Sequence, residues 1–123
     1  MKLRPVPLLL LVVAIAACGA SARQTAIRDT YTAVKVADAA FIAYDQEHRS
    51  QIETNAKMHG TQQTGQSALD AWDVTVGKVT NDFKAAYAAI GAAAALDDDP
   101  SVLSMVQAAL VIRTELSLLG VVK

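Results

Sequence analysis

From Leu69 onward, apolar side chains recur at alternating intervals of three and four residues: Leu69, Trp72, Val76, Val79, Phe83, Ala86, Ile90 and Ala93. A seam of this kind stays on one helix face and can be buried only against another helix crossing at a shallow angle, knobs into holes. Its second half, Ala85 to Ala95 around Tyr87, Ile90 and Gly91, is rich in alanine, so a neighbouring backbone can approach closely. Ser67 with Asp70 three residues on resembles an N-cap, which predicts a helix over about residues 67–96.

The partner lies upstream. Ile27, Tyr31, Val34, Ala37, Phe41, Tyr44, His48 and Ile52 also follow helical spacing, and Ser21 with Gln24 reads as a capping box, predicting a helix over about 22–58. Between the two, residues 59–66 hold two glycines and no large apolar side chain, the composition of a turn. Two long helices joined so briefly pack antiparallel. A turn centred near residue 60 or 61 pairs Ile52 with Leu69, His48 with Trp72 and Asp73, Phe41 with Val79, Ala37 with Phe83, Tyr31 with Ile90, and Ile27 with Ala94.

Asp97-Asp98-Asp99-Pro100 ends the second helix and starts a third over about 100–119, with Asp99 as cap, Pro100 in the first helical position and Gly120 as the stop. This last segment is apolar on most of its circumference, with Ser104, Gln107, Thr114 and Glu115 marking a narrow polar stripe and Arg113 beside it. The expected fold is all-α: a long antiparallel helical hairpin plus a shorter apolar C-terminal helix, forming a three-helix bundle. At about 1.5 Å per residue the third helix reaches roughly 30 Å and each of the first two about 45 to 55 Å. It therefore covers only one end of the hairpin, about Ile27 to Phe41 and Val79 to Ala95, and leaves Tyr44 to Trp72 as a two-helix finger.

The N-terminus has a different character. Lys2 and Arg4 precede an apolar stretch, Val6 to Ala17, of roughly a dozen residues, too short to span a bilayer and of the length of a signal peptide. It ends in Ile15-Ala16-Ala17-Cys18-Gly19, and Cys18 is the chain's one cysteine. This stretch resembles the lipobox of bacterial lipoproteins. The resemblance implies cleavage of residues 1–17, a diacylglyceryl thioether on Cys18, acylation of the new amino terminus, and attachment to a bilayer by several chains. Among Gram-negative lipoproteins an Asp after the cysteine signals inner-membrane retention; Gly19 here implies the periplasmic face of the outer membrane. Residues 18–123 then form a single helical domain of 106 residues. Removing Lys2 and Arg4 from 11 basic residues leaves nine against 12 Asp plus Glu, three net negative charges, which argues against nucleic acid as a partner. No second cysteine offers a disulfide, so packing must supply stability.

Few residues suggest chemistry. Asp45 and His48 have the spacing of carboxylate-His ligands in di-iron bundles, but the other histidine, His59, falls in the turn, so His48 is expected to hydrogen-bond Asp73 or pack on Trp72. Asp97 to Asp99 offers oxygen ligands without the spacing of a calcium loop. No glycine-rich phosphate loop, nucleophile elbow or paired carboxylates in a cleft-like context appear, so no catalysis, metal or cofactor is expected. Trp72 reads either as a recognition aromatic or as a seam residue. Partner contacts are expected at His59, Trp72, Leu103 and Leu110, toward an envelope protein or a second copy in a homo-oligomer. A carrier of an apolar ligand is a weaker alternative given the alanine-rich base. The other reading takes residues 102–122 as a second membrane segment, similar to the single-chain spanins that bridge two membranes during phage lysis; Arg113 and Glu115 near its middle oppose it, each costing about 2.5–3.5 kcal/mol at the bilayer centre.

Overall fold

The structure is a computed structural model and describes residues 19–122. Cys18 and residues 1–17, the stretch expected to be a signal peptide, lie outside the described residues. Three helices make up the fold: α1, Ala20–His59; α2, Gln62–Leu96; and α3, Asp99–Leu119. Among the described residues there is no strand.

The turn between α1 and α2 is far tighter than its composition suggests. It consists of Gly60 and Thr61, and the segment from Gln62 to Gln66, expected as turn, is the first part of α2. The cap is Thr61 rather than Ser67: its Oγ1 accepts from the Thr64 amide at 3.1 Å. Gly65, read as a turn glycine, is instead a buried helical residue where the two helices nearly touch; a Cβ there would sit 2.7 Å from that of Ala56. The capping box at Ser21 is not formed either. Helix α1 begins at Ala20 behind Gly19, with no side-chain cap, because the Ser21 side chain is already inside the helix.

The second turn follows the sequence closely. Asp97 takes the left-handed conformation that closes α2, and Asp98, one residue before the expected cap, accepts from the Ser101 amide at 2.8 Å with Pro100 inside the first turn. Helix α3 stops in a Schellman motif: Gly120, at φ 83, donates to the Ser117 carbonyl and Val121 to that of Leu116.

The hairpin register agrees with the seam. His48 lies on Trp72, Arg49 pairs with Asp73, Ala56 meets Gly65, and Ile27 and Tyr31 share a cleft with Ile90 and Ala94. Helix α3 buries Val102, Met105, Val106, Ile112 and Leu116 against both hairpin helices. The buried residues of α1 run only from Ala26 to Phe41, and beyond Trp72 toward the tip α2 buries only Gly65. The base is therefore three helices thick. The remainder is a two-helix finger, and Tyr44 marks the boundary by donating to the Leu119 carbonyl at the end of α3, 2.9 Å away.

Candidate functional site

At the boundary between base and finger, four side chains of α1 converge on Trp72. Its indole nitrogen donates to Asp45 Oδ1 at 2.6 Å, and the same oxygen accepts from Arg49 Nε at 2.8 Å. Arg49 bridges onward to Asp73 at 2.5 Å. The His48 ring packs on the indole, centroids 4.2 Å apart, and stacks on Tyr44 at 5.6 Å. Hydrogen bonds donated to Asp73 and Asp45 raise the Arg49 guanidinium above its ordinary range. Trp72, at 8% exposure, is a core residue, which corrects its reading as a partner contact: the seam carries it inward and Asp45 satisfies its one donor. Of the two expectations for His48, packing on Trp72 is the one realised; Asp73 is taken by Arg49. The carboxylate-His ligand geometry is absent at this position, since Asp45 is occupied by Trp72 and Arg49.

The acidic run has structural work as well. Arg23 of α1 donates to Asp97 at 3.2 Å and to Asp99 at 3.3 Å, tying the start of α1 to the turn before α3. Its guanidinium is thereby raised above its ordinary range, chiefly by Asp97. The Ser101 hydroxyl and amide hold the Asp98 carboxyl below the usual range. Arg23 is thus committed within the protein, whereas Arg28 is exposed.

One juxtaposition was not foreseen. Asp82 of α2 and Glu115 of α3 neighbour each other between the helices, each with one buried oxygen that has no hydrogen-bond partner, while Lys78 Nζ approaches Glu115 Oε1 at 3.3 Å. Burial first, then Asp82, pushes the Glu115 carboxyl up; Lys78 pulls it down. Paired carboxylates were not expected from the sequence, and the signal available was indirect: a lone Glu in an otherwise apolar helix must find a partner. A half-buried pair joins the hairpin helices, where Tyr87 donates to Asp38 at 3.0 Å; partial burial and that bond push its hydroxyl up to about 12.

The four candidate contact residues do not form one site. His59 is exposed at the finger tip, beside two shallow clefts of about 270 and 280 Å³ on either side of the Ala56–Gly65 contact. Leu103 is exposed and Leu110 half-buried, and these two share the outer face of α3 with Val111 and Leu118. The cleft between α1 and α3 lined by Val34, Ala37, Ile112 and Leu116 holds only about 50 Å³, too little for a carried ligand, whose pocket needs about 300 Å³ or more. Among the described residues no three His, Cys, Asp or Glu side chains gather as metal ligands would. Comparison with protein-family models, with curated proteins and with solved structures finds no match to the chain.

Proposed function

We propose that the protein is a lipid-anchored helical lipoprotein of the bacterial cell envelope, acting by binding or by a structural role and not by catalysis. The observation that carries this reading is Ile15-Ala16-Ala17-Cys18-Gly19 running directly into a helix that begins at Ala20. With no tether between Cys18 and α1, the anchor sets the position of the base as well as its address. The residue after the cysteine, Gly19, favours the periplasmic face of the outer membrane. An envelope protein or a second copy is the partner, since the surface lacks the basic character nucleic acid requires.

A second reading rests on α3, which is long and apolar enough to cross a membrane, with mean hydropathy 1.5 over 18 residues. In that reading α3 leaves the bundle and bridges two membranes. The bundle is the better-supported alternative because α3 buries six residues against the hairpin and pairs Glu115 with Lys78. One experiment tests both. Cells fed a clickable palmitate analogue should label the wild-type chain and not C18S, and C18S should move to the soluble fraction. An unlabelled wild type sinks the anchor; a C18S chain that resists carbonate extraction favours the bridging protein.

A further inference from the structure

The outer arc of α3 is largely apolar and free of charge. From Ser101 to Leu119 the helix carries only two charged residues: Arg113 lines the cleft against α1, and Glu115 pairs with Lys78 of α2. At 3.6 residues per turn, Leu103, Gln107, Leu110, Val111, Thr114 and Leu118 fall within one arc of about 100°, opposite the buried stripe. Leu103 is 42%, Val111 50% and Leu118 83% exposed. The Thr114 hydroxyl is satisfied by the Leu110 carbonyl at 3.0 Å, so covering it costs no hydrogen bond.

The arc also reads the same in both directions. Laid antiparallel on itself about a point between Leu110 and Val111, it sets Leu103 against Leu118, Gln107 against Thr114 and Leu110 against Val111, apolar on apolar and polar on polar, with no charge opposed. Self-complementarity under a two-fold is the requirement of an isologous interface. We propose that the outer face of α3 is a homodimer interface in which two copies pair antiparallel through Leu103, Leu110, Val111 and Leu118.

A helix about 31 Å long and 10 Å wide covers roughly 300 Å² per copy, below the roughly 800 Å² per partner of a standard stable interface. The dimer is therefore weak in dilute solution and forms where copies are concentrated, as on a bilayer; for that concentration it rests on the anchoring reading. Because α1 and α3 start at the same end, joined through Arg23 and Asp99, the two anchors sit at opposite ends of the paired helices. Both reach one membrane with α3 lying along its surface.

The test is disulfide crosslinking of the full chain in membranes, with wild type, whose one cysteine is Cys18, as control. L103C and L118C, differently tagged and co-expressed, should crosslink to each other and not to themselves, since like positions lie about 22 Å apart. V111C should crosslink to itself. Adding L118E to V111C should abolish that band, and adding L103K as well should restore it. Self-crosslinks of L103C or L118C, crosslinks only to another protein, or none at all would overturn the proposal. Retention of the 103–118 crosslink in a chain that carries no lipid would sink the anchor alone, and a lipidated chain without the crosslink would sink the dimer alone.

Discussion

Two glycines in α2 have opposite environments, and they separate what composition can reveal from what packing decides. At Gly65 an added methyl would meet the Ala56 Cβ at 2.7 Å, a contact fixed to the α1 backbone, so the helices must part. At Gly77, exposed on the same helix, nothing lies within 4 Å. G77A is expected to stabilise by about 1 kcal/mol through helix propensity alone. G65A gains the same propensity but overpacks, a cost of about 1–3 kcal/mol, and is expected to be net destabilising by up to about 2 kcal/mol. Urea midpoints of both variants check the pair; a G65A chain stabilised as much as G77A would show that the close approach does not exist. From sequence the glycine-rich stretch, residues 59–66, reads as one turn, since a buried glycine in a helix and an exposed glycine in a loop carry the same local signal. Only the distance to Ala56 tells them apart.

At the scale of elements, the contact between α2 and α3 is expected to depend on pH through Glu115. Its folded carboxyl is pushed above the unfolded value of 4.5, first by burial and then by Asp82, against the pull of Lys78. A raised acid binds its proton more tightly in the folded state, so stability rises as pH falls from the folded value toward 4.5, and is lost as pH climbs back through that window. Asp98 works in the other direction and lower down: its depressed carboxyl loses its contribution only as pH falls below the ordinary value of about 3.8. Melting temperatures measured from pH 4.5 to 8 should therefore decline with rising pH in the wild type, and the decline should flatten in E115Q, which keeps a neutral hydrogen-bonding group. A wild-type curve that is flat over this range would refute the raised Glu115 carboxyl. The three helices themselves were legible because periodicity and the Asp-Pro and Gly punctuation are local. The Asp82–Glu115 pairing was not, since it depends on the rotation of α3 about its own axis. Nothing in a helix apolar on most of its circumference declares that rotation in advance.

Across the whole molecule, one length mismatch governs where stability lies. Helices of 40 and 35 residues outrun a third of 21, so the core stops where α3 stops, at the Tyr44–Leu119 hydrogen bond and the Trp72 cluster. This tapering was readable from three segment lengths and a rise per residue, without any side-chain detail. Its energetic consequence follows from burial. Base residues such as Ala26, Val79, Ala86 and Met105 are almost wholly enclosed, whereas in the finger Ile52, Ala56 and Leu69 are only partly covered and the polar surface is wet. Amides opened by local fluctuation exchange faster than those that require global unfolding. Hydrogen exchange followed by mass spectrometry should therefore show peptides covering residues 50–68 exchanging roughly tenfold faster or more than those covering residues 79–93 and 105–116. The Trp72–Asp45–Arg49 cluster should mark the step between the two regimes, and D45N should move that step toward the base by loosening the indole. Uniform protection along α1 and α2 would mean that the finger is stabilised by something other than the contacts of the hairpin, and would place a partner at its tip.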